Sequence, residues 1–129
     1  MARTLDSRPY TFEFEYLITG YHIYKDNWEY VIGEEVRCER EPGNAHDPRY
    51  AVRVIKDQRT VGHIPRDVSK TCTFILLSGG LITAKIIGRH QNKRRNGLEI
   101  PCIYIVIGPR SSMRKAECII DEYLGRTYR

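Results

Sequence analysis

The stretch that leaves the fewest choices of fold is residues 39–67, EREPGNAHDPRYAVRVIKDQRTVGHIPRD. It reads as a strand end at 39–41, a tight polar loop at 42–48, a strand at 50–56, a turn at 57–60, a return strand at 61–64 and a helix start at Pro65-Arg66-Asp67. Pro42 sets one backbone angle and Gly43 or Asn44 accepts the left-handed one, so the loop reverses the chain. Pro65 suits an early helical position, with Asp67 as the expected cap. Asn44, His46 and Asp47 crowd hydrogen-bonding side chains into the loop, and His63 lies between apolar neighbours but on the opposite strand face. Pairing across the 57–60 turn brings His63 close to the strand that follows the loop. That is a candidate site.

At 129 residues the chain is long enough for one core of moderate size and too short for two. Hydrophobic residues at 41% and charged residues at 29% exclude global disorder. The longest apolar runs, such as Phe74-Ile75-Leu76-Leu77, are too short to span a bilayer, and the amino-terminal run MARTLDSRPYTFEFEY has no signal-peptide core. An intracellular protein with no membrane contact is expected. Cys38, Cys72, Cys102 and Cys118 form no C-x-x-C pair and have no histidine at zinc-finger spacing. Reduced thiols are therefore expected, with Cys38 and Cys102 as small core residues and no cofactor. A zinc site from Cys and His distant in sequence stays open. Twenty-one Lys and Arg against sixteen Asp and Glu leave a net charge of +5, which permits a polyanion partner without requiring one. The cluster Arg89, His90, Lys93, Arg94 and Arg95 concentrates that charge, as either a phosphate-binding turn or a solvated hairpin tip.

Residues 1–10 are polar, offer no apolar period and are expected to be disordered. Phe12, Phe14, Tyr16 and Ile18 then alternate with polar residues in a long half-buried strand, and Gly20 marks a bulge or a close backbone approach. Tyr21, His22, Tyr24, Trp28 and Tyr30 surround Lys25-Asp26-Asn27. Such a clump serves either as a stacking platform for bases or as a cover for one end of the sheet, the second being expected of Trp28. Further strands are expected at 35–41, 81–88 and 99–107, with Pro101 marking an edge. Val68, Cys72, Ile75 and Leu76 recur at helical spacing up to Gly79-Gly80, and Met113, Ala116, Ile119, Ile120 and Tyr123 repeat that spacing within 110–124. The sum is a mainly β domain: a small OB/SH3-like six-stranded barrel with one central helix and a C-terminal helix that docks on the barrel or on a partner.

No phosphate loop, G-x-S-x-G, H-E-x-x-H or D-F-G element occurs. His46 and Asp47, joined by His63, make an acid-base pair or a metal-dependent nuclease conceivable, but no activated nucleophile or metal set accompanies them. The expectation is a protein that is not an enzyme.

The ordered set of Glu35-Val36, Arg40-Glu41-Pro42, Asn44, Asp47, Tyr50-Ala51-Val52-x-Val54, Val61-Gly62-His63-Ile64 and Gly97-Leu98-Glu99-Ile100-Pro101 resembles the HIRAN domain family over about residues 17–107. The resemblance implies a HIRAN-like domain at 11–108 between the 1–10 terminus and a C-terminal helix and tail at 109–129. It also implies an OB-like barrel that binds single-stranded DNA and, as in the helicase-like members, captures its 3′-hydroxyl end. A nuclear role in DNA repair follows from the same resemblance. Asp47 matches the acid that accepts a hydrogen bond from the terminal hydroxyl, because a carboxylate accepts from a hydroxyl and repels a phosphate. His63 and Arg66 match positions that contact phosphates near that end. His46 and Leu98 stand where DNA-binding members carry stacking aromatics, and His22 and Ile23 align with an Arg-Tyr pair, so stacking and charge are both reduced. Tyr21, Tyr24 or Trp28 are the residues placed to compensate.

The expected nucleic-acid-binding set is therefore Asn44, His46, Asp47, His63, Arg66, His22, Tyr24 and Leu98, with Lys93, Arg94 and Arg95 adding phosphate contacts. The expected partner is single-stranded DNA or a 3′ DNA end. The second expectation, from a different class, is a protein-interaction adaptor that keeps the barrel, has lost the end pocket, and binds a partner through the 110–124 helix or the aromatic clump. Deleting that helix is expected to separate the two.

Overall fold

The computed structural model describes residues 8–93 and 97–126, with Lys93 described by its backbone alone. Its elements are β1 (Tyr10–Ile18), α1 (Tyr21–Tyr24), a short 3-10 turn (Lys25–Asn27), β2 (Glu35–Arg40), β3 (Val52–Lys56), β4 (Arg59–His63), α2 (Arg66–Leu77), β5 (Leu81–Ile86), β6 (Gln91–Lys93), β7 (Gly97–Gly108) and α3 (Arg110–Leu124). Of the terminus expected to be disordered, residues 1–7 lie outside the described residues, and Tyr10 already begins β1.

The strands form one antiparallel path, β1-β7-β5-β2-β3-β4, with β6 paired to β7. Two expectations are corrected here. The sheet has seven strands rather than six, because part of the basic segment read as a plain turn pairs as β6 through Gln91↔Glu99, Asn92↔Leu98 and Lys93↔Gly97. It is also not a closed barrel. β1 and β4 end the path and share no ladder; they meet only at the bridge Thr19↔His63, whose two backbone N–H···O bonds are 2.9 and 3.0 Å. Gly20 explains the gap: its φ of +83° turns the chain into α1 and leaves no further strand to pair with β4.

The bridge depends on Gly62. A Cβ there would stand 2.5 Å from Ile18 Cγ2 and 3.0 Å from the Thr19 carbonyl oxygen. Only a bare backbone lets β4 approach the end of β1.

The alternation read from the sequence holds in β1, where Phe12, Phe14 and Ile18 are buried. Phe14 opposes Tyr104 of β7, ring centroids 5.2 Å apart, and the buried Tyr104 hydroxyl donates to the Leu17 carbonyl at 2.6 Å. Pro101 is not on an edge strand, since β7 runs between β1 and β5. It sits one residue past the end of the β5 ladder, where its missing N–H interrupts nothing, while its carbonyl still accepts from Ile87 at 3.1 Å.

α2 buries Val68, Cys72 and Ile75 against the sheet. Its N-cap is Pro65 without a side-chain bond, so Asp67 is not the cap expected of it. Asp67 lies in the first turn, and its Oδ2 accepts from the hydroxyls of Tyr16 and Tyr123. α3 docks on its own domain, burying Met113, Ala116 and Ile120 against α2, β1 and β7. Deleting it would therefore open the core, and is not a clean test of a partner. Among the described residues no helix is long and apolar enough to cross a membrane.

Two outcomes are expected from this packing. Gly62→Ala should lower stability by about 1–3 kcal/mol through overpacking at Ile18, read as a lower midpoint in urea. The thiols of Cys38, Cys72 and Cys102 are buried, and burial pushes the last two up to about 12, whereas Cys118 is exposed. A thiol reagent at neutral pH should therefore titrate one cysteine quickly in the folded protein and all four in denaturant.

Candidate functional site

The 42–48 loop folds around one amide. Asn44 Oδ1 accepts from the backbone N–H of His46 at 2.8 Å and of Asp47 at 3.0 Å, the local turn that an Asn in this position favours. Asn44 Nδ2 donates to Glu41 Oε1 at 2.8 Å. The same carboxylate oxygen accepts from His63 Nε2 at 2.6 Å. A polar relay thus runs from β4 to the end of β2 and into the loop.

His63 reaches Glu41 because its register partner across the hairpin is Arg53, next to the strand end that carries the loop. The 57–60 turn is tight enough for this register, with Asp57 at φ +51° and Gln58 at φ +67°. Burial pushes the Glu41 carboxyl up, but the hydrogen bonds from His63 and Asn44 outweigh it and hold the group below the usual carboxylate range.

Asp47 is clamped from two sides. Its Oδ1 accepts from the Tyr50 N–H at 3.2 Å, and Ser69 Oγ of α2 lies 3.0 Å from Asp47 Oδ2 and 3.0 Å from the Arg66 carbonyl, sharing one proton between them. An ionised carboxylate has about four acceptor positions, so the clamp fixes Asp47 and leaves it acceptor capacity.

Asp47 lines a cleft of about 820 Å³, and so do Thr19 and His63 of the bridge. Asn44, His46, Asp47, His63, Arg66 and Tyr24, all expected from the sequence, border it. His22 and Leu98 do not. The reason is secondary structure: on a strand, residues 22 and 24 would share a face, but on the α1 turn they lie roughly 200° apart. Tyr24 faces the cleft, its ring centroid 6.0 Å from that of His63. His22 Nδ1 instead accepts from the Leu98 N–H at 3.4 Å. Tyr21 and Trp28 are buried, so of the residues placed to compensate for missing aromatics only Tyr24 is at the cleft. Lys93 lies on β6, and Arg94 and Arg95 fall outside the described residues.

Tyr16, Asp67 and Glu99 also line the cleft and were not anticipated, and Ile23, which the resemblance aligns with one of the Arg-Tyr pair, lines it too. Ile23 was legible in principle, since Gly20, Ile23 and Tyr24 share one helical face. The interior is acidic: Asp47, Asp67 and the buried Glu99 outnumber Arg66. Among the described residues no group of three or more His, Cys, Asp or Glu could hold a metal ion, so His46, Asp47 and His63 do not assemble as a nuclease metal set, nor do the dispersed cysteines and histidines form a zinc site.

Because the folded Glu41 carboxyl is depressed, its anchoring bonds are present above the usual carboxylate range and lost only as pH falls through the depressed value. The Asn44 side-chain amide resonances should therefore stay constant on lowering the pH through the ordinary carboxylate range and move below it, and should not move at all in Glu41→Gln. A transition within the ordinary range would contradict the relay.

Among curated proteins none matches the chain in sequence. A solved structure of a protein from Lactobacillus plantarum superposes with a TM-score of 0.55 at 17% identity, over 78% of this chain and 99% of that one, a likeness of fold alone. The model of the HIRAN domain matches residues 11–102. HIRAN domains are in general nucleic-acid-binding modules for single-stranded DNA. With that match running from β1 into the first half of β7 and taking in well over half of the chain, the chain belongs to the HIRAN-domain family.

Proposed function

We propose that the cleft receives the 3′-hydroxyl end of a DNA single strand, and that the protein works by recognition, without chemistry of its own. The observation that carries this reading is the clamped Asp47: a carboxylate held at the cleft wall by Tyr50 and Ser69, with acceptor positions to spare. A terminal hydroxyl can donate to it, and a terminal phosphate is repelled by it. The acidic interior supports the same direction. Asp67 and Glu99 disfavour a chain of phosphates running through the cleft, whereas an end brings few charges inside.

Arg66 and His63 are placed for the phosphate nearest the end, and Tyr24 and Tyr16 supply aromatic faces where His46 and Leu98 do not. The setting that the reading suggests is the handling of exposed DNA ends, the nuclear repair role implied by the resemblance. The adaptor alternative draws less support, because Met113, Ala116 and Ile120 of the α3 stripe are covered by this domain, leaving only Ile119 and Tyr123 of it exposed.

Fluorescence anisotropy tests it, with a short 5′-labelled oligonucleotide that ends in either a 3′-hydroxyl or a 3′-phosphate. The hydroxyl end should bind about tenfold or more tightly, as a hydrogen bond to a charged acceptor is worth ~1.5–3 kcal/mol, and Asp47→Ala should erase the preference. Tyr24→Ala should weaken both ends alike, by ~1–3 kcal/mol. Equal binding of the two ends by the unaltered protein, indifferent to Asp47→Ala, would sink the end-capture reading.

A further inference from the structure

A strand whose end lies in the cleft must leave it along some surface, and two basic segments are the candidates: residues 93–95, of which 94 and 95 lie outside the described residues, and the flank of α2. Several cations are already paired, Arg53 and Arg37 of the sheet with Glu39, Lys56 with Glu34, and Arg126 beyond α3 with Asp121. Arg49, Arg66 and Lys70 are exposed and have no carboxylate partner among the described residues. Arg66 borders the cleft, and Lys70 lies one helical turn further along the same side of α2, a separation of about 5–6 Å between such positions.

The loop that carries Asp47 is laid lengthwise on this helix. Ser69 holds Asp47, and Thr73 Oγ1 donates to the Tyr50 carbonyl at 2.9 Å. The Tyr50 ring then lies under the Lys70 ammonium, 5.8 Å from ring centroid to Nζ. This contact draws Lys70 toward the seam between loop and helix. The seam starts at the cleft, where Arg66 borders it, and carries the further cations Arg49 and Lys70.

We infer that a bound single strand leaves the cleft along the seam between α2 and the 47–50 loop, with Lys70 binding the next phosphate beyond Arg66 and Tyr50 positioning its ammonium. The inference rests on the nucleic-acid reading of the cleft. The basic segment 93–95 is then not the main phosphate track. The end is read by Asp47 inside the cleft and the backbone by the helix outside it, so the two contributions are separable.

The test is anisotropy of the full chain with a short 5′-labelled oligothymidylate bearing a free 3′-hydroxyl or a 3′-phosphate, across a range of salt, with thermal melts to confirm folding. Lys70→Ala should weaken binding about three- to tenfold at low salt and reduce the slope of log affinity against log salt by ~0.7, the value of one phosphate contact on a single strand. Its preference for the hydroxyl end should persist. Lys70→Arg should keep the slope, Tyr50→Leu should give a smaller loss in the same direction, and the combined Lys93→Ala, Arg94→Ala and Arg95→Ala variant should keep the slope. If Lys70→Ala leaves the slope unchanged while Asp47→Ala still abolishes end preference, the seam is wrong and end capture stands. A slope that falls in the triple variant instead places the track on the hairpin. If the unaltered protein binds no single strand, both readings fall.

Discussion

The approach of β4 to the end of β1 is the constraint on which the rest of the molecule depends. Strand pairing alone would leave the two ends of the sheet apart, and a single two-bond bridge holds them together. That bridge exists because position 62 carries no side chain. Everything at the cleft is measured from it: His63 is one of its two residues, Thr19 the other, and Gly20 turns α1 so that Ile23 and Tyr24 form the adjoining wall. A methyl group at residue 62 would press on the site as much as on the fold.

The second layer of organisation is polar. Buried apolar contacts set the sheet and helices, but the loop holding Asp47 has little to bury and takes its shape from hydrogen bonds instead. Asn44 bonds two backbone donors and passes one of its own to Glu41, which His63 also engages. At the other end Ser69 ties the loop to α2. Such a chain is fixed by geometry at each joint, so removing one member leaves a polar partner to find water in its place.

What the sequence revealed, and what it did not, divides along range of interaction. The hairpin of β3 and β4, the helix start after Pro65 and the alternation of β1 are written in local periodicity, and the residues they bring together, Asn44, Asp47, His63 and Arg66, lie within one continuous stretch. The bridge from Thr19 to His63 and the place of Glu99 beside the cleft depend on pairings between distant segments, which no window of sequence contains. His22 missed the cleft for a different reason. A run as short as 21–24 carries no period, so nothing local told that a helical turn would send Tyr24 to the cleft and His22 away from it, although both were expected there. Asp67 was misassigned because a cap and a first-turn acid look alike in sequence, and only the tyrosines from β1 and α3 distinguish them.

A sheet that does not close has edges, and the outer edge of β1 is the longer of the two. α3 lies along that strand: the Tyr10 hydroxyl donates to Glu117, and the Arg126 guanidinium donates to the Glu13 carbonyl at 3.0 Å. Arg126, just beyond the helix, therefore occupies one carbonyl of that edge, while α3 packs beside the strand. A truncation that removed this end of the chain would free that carbonyl and uncover part of a strand edge of the kind to which another strand can add.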